Sequence, residues 1–192
     1  MIKTENFEKV EITSTEQLKS WLLKNHKQEE SIWLVTFLKS EKDKYVSRWD
    51  VLDELICFGW IDGIRRKLDE KRTMQLISPR KRQHWAETYK ERASKLIEEN
   101  RMHSSGLTSI EISKANGLWN FMDDVDRLII PNDLKEALSN LKGASAFFDF
   151  INDSSKRFVL RWIKLARTDK TRQKRILKIV ELSSKNQKLP GS

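Results

Sequence analysis

Asp62 sits in the run Cys57-Phe58-Gly59-Trp60-Ile61-Asp62-Gly63-Ile64-Arg65-Arg66, and Ser78-Pro79-Arg80 and Trp85 follow shortly after. A carboxylate, two glycines and two indoles are thereby set among arginines. A carboxylate on the apolar side of a strand is costly to ionise unless a cation or hydrogen-bond donors meet it. Arg80 is the partner that the spacing offers. Such a pair serves either as a structural tie or as part of a ligand or proton-transfer site, because perturbed carboxylates mark both. Trp60, Asp62, Arg65, Arg66, Arg80 and Trp85 form the candidate ligand-binding set. Arginines interleaved with aromatic rings also suit phosphate contact and base stacking, which makes nucleic acid the alternative partner.

Other chemistries find less support. Cys57 is the one cysteine and lies between Ile56 and Phe58, as a buried, inert thiol does. His26, His84 and His103 are scattered without metal-ligand spacing. No glycine-rich phosphate loop or nucleophile elbow is present. No catalytic residue, cofactor or metal is therefore assigned, and binding is favoured over catalysis.

The chain has 192 residues, with 37 Lys+Arg against 28 Asp+Glu and a formal charge of +9. That balance favours an anionic or protein partner. The charge is unevenly spread: residues 64–110 hold 12 basic and 6 acidic side chains, 111–153 hold 4 and 8, and 154–192 hold 12 and 2. A single cysteine argues against a disulfide-stapled secreted protein. Charged residues through the first twenty positions leave no apolar signal core, and no apolar run approaches the roughly 20 residues of a membrane span. A cytoplasmic location is expected, and the oligomeric state stays open.

These residues need elements to position them. Ser14 with Gln17 forms a capping-box pattern opening a helix through Leu18, Trp21 and Leu22. Ile32 to Leu38 reads as a buried strand. Ser47 caps a second helix whose apolar face is Val51, Leu52, Leu55 and Ile56, and Gly59 stops it. The period then changes to two. A hairpin of Trp60–Leu68 and Arg72–Ser78 pairs Arg66 with Met74, Ile64 with Leu76 and Asp62 with Ser78. It places Trp60, Ile64, Leu68, Met74 and Leu76 on one face, and Arg65, Lys67, Thr73 and Gln75 on the other.

Helical stretches follow from Gln83 to near Gly106, from Ile112 to Phe121, and from Pro131-Asn132-Asp133 through Leu141. Phe158, Trp162 and Leu165 mark another, and after a break at Thr168-Asp169 the last carries Ile176, Ile179 and Val180. The basic residues Lys170, Arg172, Lys174, Arg175 and Lys178 spread around that last helix as a solvated surface or an acidic-partner dock.

The segment from Asp50 to Gly63, with Trp33, Arg66, Leu68-Asp69, Ser78-Pro79-Arg80 and Trp85, resembles the YdeI/OmpD-associated (bacteriocin-protection) family. Pro131, Asp133-Leu134, Ala137-Leu138, Trp162, Lys164 and Thr171-Arg172 through Arg175-Ile176 carry the resemblance onward. It implies an intracellular bacterial protein linked to tolerance of bacteriocins or cationic antimicrobial peptides, and it supplies no catalytic residue. A chain of charge +9 repels cationic peptides within a Debye length of about 8–10 Å. Only the acidic block of Asp123, Asp124, Asp126, Asp133 and Glu136 is suited to hold them.

The sequence thus points to an α+β protein: a small antiparallel sheet packed by helices over residues 1–127, a helical C-terminal module over 128–184, and a disordered tail over 185–192.

Overall fold

In the computed structural model, which describes residues 6–190, the α+β expectation holds. The sheet lies in the N-terminal half and the C-terminal region is helical. The chain divides into two compact units, Met1–Asn120 and Phe121–Ser192.

The first unit runs β1 (Lys9–Glu11), α1 (Thr15–Asn25), β2 (Ile32–Phe37), a short 3-10 turn, α2 (Arg48–Phe58), β3 (Trp60–Lys67), β4 (Arg72–Pro79), α3 (Glu87–Glu98) and α4 (Ser104–Ala115). The four strands lie in the order β1-β2-β4-β3. β1 pairs parallel with β2, while β2, β4 and β3 are antiparallel neighbours, so the sheet is mixed rather than wholly antiparallel. Lys9-Val10-Glu11 offers a single apolar residue, too little pattern to read as a strand; the backbone of β2 recruits it.

The helix ends follow local chemistry. Gln17 N–H donates to Ser14 Oγ at 3.3 Å, while Gln17 Oε1 accepts from Thr13 N, one residue earlier than a regular capping box. Asp50 N–H donates to Ser47 Oγ at 3.1 Å. Gly59 ends α2 in the left-handed conformation at φ 74°. Further along, the boundaries differ from expectation: α3 stops at Glu98, and Gly106 lies inside α4 rather than closing the helix before it.

Strand pairing assigns the two faces of the sheet, since residues directly opposite share a face. Ile32, Leu34 and Thr36 stand with Ile77, Gln75 and Thr73, whereas Trp33 and Val35 stand with Leu76 and Met74. The first set joins Leu18, Leu22, Leu55, Ile56, Trp60, Ala93 and Leu96 in one core, so this is the helix-covered face.

The second unit contains the short α5 (Asp123–Asp126), α6 (Asn132–Ser139), α7 (Ala144–Phe150), α8 (Asp153–Lys164) and α9 (Asp169–Ser184). Leu134, Leu138, Phe148, Val159, Leu160, Ile163, Ile176 and Ile179 form its core. Phe158 and Leu165, expected on the apolar face of α8, are instead 44% and 43% exposed, because the buried stripe runs through Val159, Leu160 and Ile163. Residues 185–192, read from their polarity as a tail, include Leu189, which is buried in this core. Residues 191 and 192 lie outside the described residues. On α9, Arg172 and Arg175 turn to Asp133 and the Trp162 carbonyl. This leaves Lys170, Lys174 and Lys178 exposed at a four-residue spacing, as one stripe rather than a spread.

Candidate ligand-binding cleft

β3 and β4 pair Arg66 with Met74 and Lys67 with Thr73, as the three-residue loop requires. Beyond that the register shifts. Arg65 faces Gln75 and Asp62 faces Ile77, so Gly63 and Ile64 together oppose the single residue Leu76. This is a β-bulge, and the extra residue inverts the alternation on either side of it. Trp60 and Asp62 therefore share the helix-covered face with Arg65 and Lys67, where unbroken alternation sets them on opposite faces. Ile64, expected inside, is 50% exposed, and Met74 and Leu76 lie on the outer face. Gly63 suits the bulge because a Cβ there would stand 3.0 Å from the Leu76 carbonyl oxygen.

A cavity of about 260 Å³ opens beside the bulge, lined by Arg48 and Leu52 of α2, Asp62, Gly63 and Arg65 of β3, and Gln75 of β4. Tyr89 Oη–H donates to Asp62 Oδ1 at 2.6 Å, and Gln75 Nε2–H donates to Asp62 Oδ2 at 3.2 Å. Gln75 Oε1 in turn accepts from an Arg65 guanidinium N–H at 2.7 Å. One amide thus stands between a carboxylate and a guanidinium, bonded once to each, and the two charges do not pair. Among the described residues Asp62, Arg65 and Arg48 make no ion pair. Nearby charges do pair: Arg92 with Asp53, Arg101 with Glu54, and Arg72 with Glu11 and Asp69.

Arg80 is not the partner of Asp62 that the spacing offered. Its guanidinium lies 3.9 Å over the Trp85 ring and donates to the Gln83 and His84 carbonyls, leaving Nε without a partner. Asp62 is held by a phenol and an amide instead, and the charge of Arg80 acts on it only through space. Burial lowers the Arg80 guanidinium to about 10, against the opposing charge of nearby Tyr89 and Asp62. Burial also pushes the Tyr89 phenol well above its ordinary value, and its hydrogen bond to Asp62 adds to this. Cys57 is driven up to about 12, by burial first and then by Glu54.

Of the six expected site residues, the structure brings only Asp62 and Arg65 to the cleft. Trp60 is 1% exposed, with its Nε1–H on the His26 carbonyl and its ring edge-on to Trp21 at 5.5 Å. Trp85 is equally buried and packs against Trp119 at 4.9 Å. Arg66 crosses the outer face over Trp33 at 5.2 Å. Arg48, Gln75 and Tyr89 were missed. Gln75 was placed on the Arg65 face, but nothing in the spacing links α2 and α3 to the hairpin. His26 and His103, far apart in sequence, meet with ring centroids 4.6 Å apart; burial, then His26, lowers His103. Among the described residues no three His, Cys, Asp or Glu side chains are arranged to hold a metal ion, and no helix is long and apolar enough to cross a membrane.

The acidic block of the second unit is largely committed. Asp133 is gripped by Arg172 through bonds of 2.6 and 2.9 Å, and Asp124 by Lys164.

Fold and site together define an α+β domain with a charged cleft, joined in sequence to a helical module. Residues 10–109 match the model of a domain of unknown function (DUF8412), which spans just over half of the chain, and residues 127–186 match the model described as bacteriocin-protection, YdeI or OmpD-associated. The chain belongs to the first family, and its C-terminal unit is similar to the YdeI/OmpD-associated one over the residues matched. The Gly59–Gly63 motif therefore lies under the first model, and Asp133, Trp162 and Arg172 under the second. No curated protein and no solved structure matches.

Proposed function

We propose that the protein acts by binding, in the cytoplasm, in tolerance of bacteriocins or cationic antimicrobial peptides, and that the Asp62 cleft is its ligand site. The description of the family matched by residues 127–186 supports the physiological role. The binding mode rests on one observation: Asp62, Gln75 and Arg65 form a fixed chain of donors and acceptors on the wall of an open cleft. The displaced groups around it point the same way. An efficient general acid or base titrates near the working pH, whereas the Tyr89 phenol and the Cys57 thiol are raised so as to stay protonated there, and Arg80, although lowered to about 10, keeps its proton as well. Direct capture of cationic peptides by the acidic block is disfavoured, because Asp124 and Asp133 already hold cations of their own.

Nucleic acid loses the two stacking platforms expected beside the hairpin, Trp60 and Trp85, to burial, which leaves that region phosphate contacts from exposed residues such as Arg66, Lys67 and Arg82. Affinity of that kind falls steeply with salt.

Growth of a susceptible bacterium carrying the chain, against an empty-vector control, tests the proposal over a series of cationic-peptide concentrations. The chain is expected to raise the inhibitory concentration, and Asp62→Asn to lose that gain at equal protein level. Equal susceptibility of the wild-type strain and the control refutes the role. Salt-sensitive binding to RNA or DNA that accounts for the phenotype moves the reading to nucleic acid.

A further inference from the structure

We propose that the cleft between α2 and the β3 bulge takes a small zwitterion, with its carboxylate between Arg48 and Arg65 and its ammonium on Asp62. The proposal rests on the cleft being the ligand site argued above, and it names the class of ligand.

The charges carry the argument. Within one cavity of about 260 Å³ stand two guanidiniums and one carboxylate that form no ion pair, in a unit where comparable side chains are paired. Arg65 spends one donor on Gln75, and Arg48 lies over the Trp49 ring at 4.7 Å, a contact that engages its face. Both keep N–H groups for a carboxylate, whose two oxygens match the planar fork of a guanidinium. Asp62 accepts one bond at each oxygen, from Tyr89 and from Gln75, and each oxygen has a further lone pair.

The spacing selects the ligand. The Gln75 side-chain amide stands between Arg65 and Asp62, so the two charges are separated by one amide plus two hydrogen bonds. A ligand whose opposite charges lie a few bonds apart spans that interval. A simple anion meets the repulsion of Asp62, and a simple cation meets that of both arginines. Like-charge juxtaposition of this sort suppresses the wrong partners. The volume lies just under the roughly 300–1,000 Å³ of pockets for drug-sized ligands, and Leu52 supplies an apolar wall for the methylenes between the two ends.

The test is calorimetric titration of the full chain with glycine, β-alanine and γ-aminobutyrate as zwitterionic probes, beside propionate, propylammonium and inorganic phosphate. At least one zwitterion is expected to bind at least about tenfold more tightly than every single-charge probe. Asp62→Asn should abolish its advantage over propionate, and Arg65→Met should weaken propionate and the zwitterion alike. Arg48→Met, at an exposed position, repeats the arginine test should Asp62→Asn fail to fold by near-ultraviolet circular dichroism. Absence of zwitterion binding, or propionate or phosphate binding as tightly, overturns the proposal. The tolerance assay separates the two levels. Loss of tolerance in Asp62→Asn without zwitterion binding refutes the ligand class alone. Zwitterion binding in a chain that confers no tolerance refutes the physiological role alone.

Discussion

Gly106→Ala tests how closely α4 approaches the end of α2, the helix that carries Arg48 and Leu52 into the cleft. A Cβ at position 106 would stand 2.2 Å from the Cys57 carbonyl oxygen, 2.7 Å from its carbon and 2.8 Å from the Ile56 oxygen. The first contact is 0.8 Å inside the 3.0 Å that real Cβ atoms keep. All three atoms are backbone, so no side-chain rotation relieves them and the helices must part. Overpacking of this kind costs about 1–3 kcal/mol, and rigid backbone neighbours put this site at the upper end. Better helix propensity of alanine returns up to about 1 kcal/mol. The net expectation is a loss of about 2 kcal/mol, or several degrees in melting temperature for a unit of this size. The assay is denaturant unfolding followed by tryptophan fluorescence, which favours the first unit because Trp21, Trp33, Trp49, Trp60, Trp85 and Trp119 all lie in it. An unchanged or higher midpoint for Gly106→Ala refutes the close approach of the two helices.

Three further outcomes are expected. Tyr89→Phe removes the 2.6 Å bond to Asp62 and should destabilise by about 1–2 kcal/mol in neutral buffer. Because the folded phenol titrates above its unfolded value, the stabilisation it gives is complete below about pH 10 and lost as pH rises through the folded value; alkaline unfolding that is identical in Tyr89→Phe and wild type contradicts this. Cys57, buried and raised to about 12, should resist thiol reagents until the unit unfolds, so rapid stoichiometric labelling in native buffer counts against its placement. In the second unit, hydrogen bonds from Arg172 first, then from the Leu134 backbone, hold Asp133 below the ordinary carboxylate range. Its stabilisation is present above the unfolded value of about 3.9 and is lost as pH falls through the lower folded value; Asp133→Asn should flatten that acid limb in far-ultraviolet circular dichroism, and an unaltered limb argues against the pair.

Much of the local structure was legible because it is written in neighbouring residues. Ser14 and Ser47 cap the helices they precede, Gly59 ends α2, the apolar run of β2 is buried throughout, and Thr168 opens α9. The caps and the glycine stop depend on groups within a few positions of one another, and β2 announces its burial by a run of apolar and β-branched residues. The loop-side half of the hairpin was legible for the same reason. The partner of Asp62 was not: Arg80 was nearest along the ribbon, yet its guanidinium turned to Trp85, and Tyr89 arrived from a helix that the pattern could not orient. Burial of Trp60 and Trp85 was equally unreadable, since arginines beside an indole in sequence cover it or leave it open according to packing from distant elements.

By itself the sequence determined the α+β class, the N-terminal caps of α1 and α2 and the glycine stop of α2, and the presence of a carboxylate and arginines on one ribbon. Tertiary structure alone decided that Asp62 and Arg65 face the same cleft. One extra residue at the Gly63–Ile64 bulge reverses the side-chain alternation between them, and whether a strand bulges depends on its partner strand and on the helix packed over it rather than on its own period.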